Sequence, residues 1–174
     1  MTDIDPADIA CRLDAAALIQ VADTRGKAFE AIADSLFSAL GCVVRGDLTS
    51  VLHSEQIDLV VAHLDSLGPL PHFFLVECKF WEKSVDSAAV GYFLRICEAR
   101  HIPLAVIISR NGMTGDAHDS TAAHSLAYAA SVRGTHLILI TEADIRSAEN
   151  NLDLVQMLIR AWLGAVATAG VGTP

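Results

Sequence analysis

Phe73-Phe74-Leu75-Val76-Glu77-Cys78-Lys79-Phe80-Trp81 sets two charged side chains inside one of the most apolar segments of the chain. In an extended strand alternate side chains share a face, so Glu77 and Lys79 point one way and Cys78 points into the opposite layer. An earlier run, Gln56-Ile57-Asp58-Leu59-Val60-Val61, repeats the pattern with one carboxylate in an aliphatic stretch. Alone, either motif reads equally as a solvated edge or an internal ion pair. Paired as neighbouring strands, they bring two carboxylates to one lysine and leave an uncompensated negative charge, which is costly to bury unless a cation is bound. Asp58, Glu77 and Lys79 are therefore expected to form a metal site with an ammonium group beside it.

Upstream, the segment from Thr24 to Gly41 reads as a helix with a Thr or Asp cap and a terminal glycine. Phe29, Ile32, Ala33, Leu36, Phe37 and Leu40 recur at helical spacing and form its buried stripe. Glu30 lies next to that stripe. By itself it is an ordinary surface glutamate, and it gains interest only from the acids that follow.

The succession Arg25-Gly26-Lys27-Ala28-Phe29-Glu30, Leu40-Gly41-Cys42-Val43-Val44, Ile57-Asp58-Leu59-Val60-Val61 and Val76-Glu77-Cys78-Lys79 resembles the PD-(D/E)xK nuclease superfamily, and within it the Mrr-like restriction endonuclease domain. The likeness runs from Thr24 to Ile145. It implies a restriction-endonuclease-like three-layer α/β/α sandwich with a central mixed sheet. By the same resemblance Asp58 and Glu77 match the metal-binding acids, the carbonyl of Cys78 a further ligand, Lys79 the lysine that positions water, and Glu30 the helical acid. Many Mrr-like sequences carry glycines just before the strand aspartate, where this chain has His53-Ser54-Glu55-Gln56. Gln56 shares the face of Asp58 by alternation and is a candidate contact to phosphate or water, with a solvated strand start as its other reading.

The chemistry of these groups points the same way. Hydrolysis of a phosphodiester builds negative charge on the phosphoryl oxygens and the departing 3′ oxygen, which a carboxylate-held Mg²⁺ and a mobile ammonium both stabilise. An oxygen-rich shell that keeps its waters suits Mg²⁺, with Mn²⁺ as a substitute, better than Zn²⁺. The expected activity is a Mg²⁺-dependent endonuclease acting on DNA, double-stranded by preference, as a restriction or anti-phage defence effector. A homodimer follows if two antiparallel strands are cut by a twofold pair of sites. The alternative of another class is a catalytically silent nuclease-fold module that binds or assembles. A Holliday-junction resolvase is a rival within the enzyme class that would need a broad basic face.

Composition bounds these readings. The chain has 174 residues, 52% of them hydrophobic, and a formal net charge of −9. That suits one domain able to bury about two thirds of its unfolded surface, and it opposes binding to a polyanion. Arg25, Lys27, Arg45, Lys79 and Lys83 cluster in or beside the motif-bearing elements, so a local positive groove is expected on an acidic body, with Arg25, Lys27, Lys83 and Arg110 as candidate phosphate contacts. Cys11, Cys42, Cys78 and Cys97 form no Cys-x-x-Cys pair and read as reduced core residues. With no apolar run of roughly 18–20 residues and an acidic start, a cytoplasmic protein without a membrane span is expected.

The expected organisation is an N-terminal helical extension (1–23), a nuclease-like core (24–149), and a C-terminal helix with a flexible tail (150–174). The opening helix, Pro6 to Ala22, places Ile9, Leu13, Ala17 and Leu18 on one side. Further helices are read from Ser84 to Arg100, over 116–132, and from Asn150 onward with Leu152, Val155, Leu158, Ile159 and Trp162 as its apolar face. Leu104–Ile108 and His136–Ile140 read as central strands buried on both faces, and Thr141 as a helix cap. His118, Asp119 and His124 are spaced as a solvated helix surface, and Ser109 lacks a partner histidine at nucleophile spacing. The Gly- and Ala-rich end after Gly164 reads as a fraying linker, which suits a module attached to a sensor or ATPase domain.

Overall fold

The computed structural model describes residues 3–49, 55–114 and 122–174. Its centre is a six-stranded mixed sheet in the order β1 (Val43–Thr49), β2 (Gln56–Ala62), β3 (Phe73–Lys79), β4 (Leu104–Ser109), β5 (His136–Thr141) and β6 (Val171–Gly172). β1, β2 and β3 pair antiparallel, whereas β3 through β6 pair parallel. Parallel neighbours need crossovers, and the chain supplies helices for them. One face is covered by α1 (Pro6–Leu18), α2 (Ala22–Ala39), α5 (Glu142–Ser147) and α6 (Asn151–Thr168), the other by α3 (Ser87–Ala99) and α4 (Ala122–Val132).

Side-chain alternation sorts the strands into two cores. Phe74, Val76, Cys78, Val106 and Ile108 pack with α2 and α6, while Leu75, Ala105, Ile107 and Leu139 pack with α3 and α4. β4 is buried along its whole length, as a continuous apolar strand in the middle of a parallel sheet should be. The restriction-endonuclease-like α/β/α sandwich expected from the sequence is the fold observed.

Several local expectations change. α2 begins at Ala22, with Val21 at the cap position and no side-chain cap bond, so Thr24 lies inside the helix and the helix crosses the boundary drawn at residue 23. α1 ends at Leu18, whose side chain is 77% exposed, and Ala16 completes the buried stripe. α4 is described from Ala122, and 116–121, with His118 and Asp119, lie outside the described residues, as do His53 and Ser54. α3 has Asp86 as its cap, and Thr141 forms a capping box with Asp144. α6 buries Leu154, Met157, Leu158, Ala161 and Ala165, whereas Leu152 is 62% exposed. Cys11 is exposed and Cys42 half-buried, so only Cys78 and Cys97 are core thiols.

The C-terminal segment departs most from the reading as a linker. α6 continues through Thr168, Ala169 turns the chain in the left-handed region, and Val171–Gly172 joins the sheet beside Leu137 and Ile138. A Cβ on Gly172 would collide with the carbonyl oxygen of Ala161, so only glycine lets this strand lie so close to α6.

Candidate active site

The β2–β3 ladder runs from Ala62 opposite Phe73 to Leu59 opposite Val76. One step further the strands stop exchanging ladder bonds, and Asp58 Oδ2 accepts the backbone N–H of Cys78 at 2.8 Å. A side chain has replaced the strand partner there. Both acids are buried, Asp58 at 8% and Glu77 at 9% exposure, and Lys79 Nζ sits 2.5 Å from Glu77 Oε1. Glu77 and Lys79 share the α3 side of the sheet and Cys78 packs into the opposite core, as alternation requires.

Gln56, Asp58, Glu77, Lys79, Trp81 and Tyr92 line one cleft of about 310 Å³ at this end of the sheet. Burial, then the neighbouring Asp58 charge, pushes the Glu77 carboxyl up to about 7. Asp58 is also raised, chiefly by burial and against the Cys78 N–H bond and the Lys79 charge. Burial pulls the Lys79 ammonium down, but Glu77 and Asp58 together hold it above its ordinary value. The Lys79 ammonium also lies 5.2 Å from the centre of the Trp81 ring. Two buried acids that resist ionising side by side are the electrostatic state that a divalent cation relieves.

Among the described residues no three His, Cys, Asp or Glu side chains converge as a preformed metal cluster. The oxygen donors that line the cleft include two carboxylates, with Asp58 Oδ1 left over from the Cys78 bond. Such a sparse, hard-oxygen set fits a cation that keeps much of its water, as Mg²⁺ does.

Of the other expected residues, the structure gathers some and disperses the rest. Gln56 lines the cleft and donates to Asp47 Oδ1 at 3.2 Å. Glu30 is outside the cleft walls but within electrostatic reach: burial first, and then the charge of Asp58, raises its carboxyl. Lys27 is held by Asp47 at 3.2 Å and approached by Glu30 at 3.8 Å. Arg25 turns away to the carbonyl of Ile19, and Lys83 is exposed beyond the cleft. Arg110 lies over Phe80 and pairs with Glu142 at 3.5 Å, which commits it to the α2 side of the sheet. Arg95 and Arg100 both hold Glu55. Of the basic residues expected to form a positive groove, acidic neighbours engage Lys27, Lys79 and Arg110, Arg25 is turned to a backbone carbonyl, and only Lys79 lines the cleft.

Three residues escaped the sequence reading. Asp47 adopts φ 54° on β1, between the pairs Gly46–Leu59 and Leu48–Ile57, and its carboxylate joins Lys27 to Gln56. An Asp after Gly in a short polar run was the only available signal, since Asp is among the few residues that tolerate the left-handed region. Trp81 and Tyr92 reach the cleft from the segment after β3 and from α3, elements whose relation only the fold defines.

A family model described as Restriction endonuclease, Mrr_cat, matches residues 21–148, and the chain belongs to that family. Membership makes it a nuclease of the restriction-endonuclease type, with DNA as the implied substrate. No curated protein and no solved structure matches the chain. No helix among the described residues is long and apolar enough to cross a membrane.

Proposed function

We propose that this chain is a Mg²⁺-dependent DNA endonuclease that hydrolyses phosphodiester bonds, with Asp58, Glu77 and Lys79 as its catalytic group. The observation that carries this reading is the meeting of those three side chains in one cleft of a restriction-endonuclease family member. Asp58, Glu77 and the Cys78 carbonyl would hold the ion, with Mn²⁺ as a substitute. When bound, the ion polarises the phosphoryl group and lowers the pKa of water.

The protein's own contribution is position and charge. Lys79, steadied by Glu77 and the Trp81 ring, orients the attacking water and compensates the charge that grows on the phosphoryl oxygens. A water oxygen bonds to phosphorus as the bond to the 3′ oxygen breaks, leaving a 5′ phosphate and a 3′ hydroxyl. Asp58 spans β2 and β3 through the Cys78 N–H, so the acid that would hold the ion is fixed by a backbone bond. Glu30 contributes through its field on Glu77 and would hold a second ion through water.

The biological role that suits this activity is restriction or anti-phage defence in the cytoplasm, by a homodimer associated with a sensor or ATPase module. The net charge of −9 and the engaged cations favour the competing reading of a catalytically silent module. Incubation with supercoiled, linear and single-stranded DNA, and with RNA, in Mg²⁺, Mn²⁺ or chelator separates the two. DNA cleavage that needs the metal is expected; no cleavage under any condition, or cleavage that survives chelation, would overturn the proposal.

A further inference from the structure

Trp81 and Tyr92 remain 40% and 42% exposed while lining the same cleft as the acids. Neither belongs to the two packed cores, unlike Trp162, which packs against the larger one. Each ring lies against a cation, with Lys79 Nζ 5.2 Å from the centre of Trp81 and Arg95 Cζ 5.2 Å from that of Tyr92. Two partly exposed aromatic rings, one from the segment after β3 and one from α3, thus line the cleft outside the packed cores.

They do suit a nucleobase. A base stacks on aromatic rings and on guanidinium planes only when its own face is uncovered, which a paired and stacked duplex does not allow. Duplex binding depends instead on neutralising many phosphates, and this chain is poorly supplied for that. Its net charge is −9, and Lys27, Lys79, Arg95, Arg100 and Arg110 are all ion-paired.

We infer that the cleft takes single-stranded or locally unpaired DNA, with a base stacked on Trp81 or Tyr92 while the adjoining phosphate meets Lys79. This refines the substrate expected from the sequence, which was double-stranded DNA. It rests on the nuclease reading for the cut, but base stacking is measurable without cleavage.

The test is binding of a fluorescent oligothymidylate strand and of a duplex of equal length, measured by anisotropy in chelator. The strand is expected to bind at least about tenfold more tightly. Trp81→Ala and Tyr92→Ala are each expected to weaken strand binding by about 5- to 150-fold, equivalent to ~1–3 kcal/mol per stacked base, and Trp81→Phe to retain most of it. In a Trp162→Phe background Trp81 is the only tryptophan, and its emission should be quenched by the strand and not by the duplex. Equal or tighter duplex binding, or strand binding unchanged in both alanine variants, overturns the inference. Ring-dependent strand binding without cleavage of any substrate in Mg²⁺ or Mn²⁺ upholds it and removes the nuclease reading. Native-rate cleavage of intact duplex by both alanine variants does the reverse.

Discussion

The β2–β3 hairpin buries polar side chains at both of its ends, and the two ends partner them by different means. At the turn end, His63 is 5% exposed, its Nε2–H donates to the Pro71 carbonyl at 3.1 Å, and its backbone N–H donates to the His72 carbonyl. The His72 ring returns a bond to the His63 carbonyl at 3.1 Å. At the open end, Asp58 and Glu77 are also buried, yet among the described residues only the Cys78 N–H and the Lys79 ammonium answer them, and both acids line a cleft. Burial acts alike on both ends by opposing the charged form: it lowers His63 and raises Glu77 to about 7. The neutral imidazole carries no charge to compensate: its Nε2 is bonded within its own hairpin, while its Nδ1 is buried with no hydrogen-bond partner among the described residues. The paired carboxylates are left with a charge problem that a ligand can solve.

The largest effect is expected from removing the charges of the open end. Lys79→Ala, and Asp58→Asn, whose amide oxygen still accepts the Cys78 N–H, should each lower DNA cleavage by about 10²-fold or more. Nicking of supercoiled plasmid measures this, and native activity in either variant would make the open end as inert as the turn end. Next in size, saturating Mg²⁺ or Mn²⁺ should raise the melting temperature of the native chain by about 5–10 °C at a hundredfold excess over Kd. The Asp58→Asn, Glu77→Gln double variant should not respond, and an equal shift would place the cation elsewhere.

A smaller effect is expected at the flank of the cleft. Asp47→Asn keeps a residue that tolerates φ 54° but loses the charge that holds Lys27. Cleavage should fall roughly fivefold or less, the scale of an exposed ion pair, with the melting temperature nearly unchanged. A large loss of stability instead would make Asp47 structural.

The smallest effect belongs to the turn end and is read as a pH slope. His63 has its pKa lowered from 6.5 by burial, so below that value the unfolded chain binds more protons than the folded one. The stability this group contributes is present above pH 6.5 and is lost as pH falls through its folded value. His63→Phe should flatten the acid-side decline in melting temperature and leave the metal response intact. An identical slope in both proteins would mean that His63 does not titrate in this range.

Local patterns reached far into this molecule, because they depend on periods of 2.0 and 3.6 residues that need no partner. Alternation put Glu77 and Lys79 on one face and Cys78 on the other, helical spacing found the buried stripe of α2, and the order of motifs identified the family. Chain ends and cap positions were less legible. Val21 holds a helix start with no capping side chain, and the Gly- and Ala-rich end becomes β6 because Gly172 fits against Ala161, a contact no local composition encodes.

What the residues determined by themselves was the type of each main element and the chemistry available to it: acids and a lysine in apolar strands, on an acidic chain. Which of those groups share a volume was decided only in three dimensions. Register sets Asp58 at the end of the β2–β3 ladder, a left-handed Asp47 joins from β1, and Trp81 and Tyr92 arrive from separate elements. Meanwhile Glu142 draws Arg110 to the other side of the sheet. Convergence of that kind is a sum of long-range pairings and competing partners, and it exists only once the sheet is assembled.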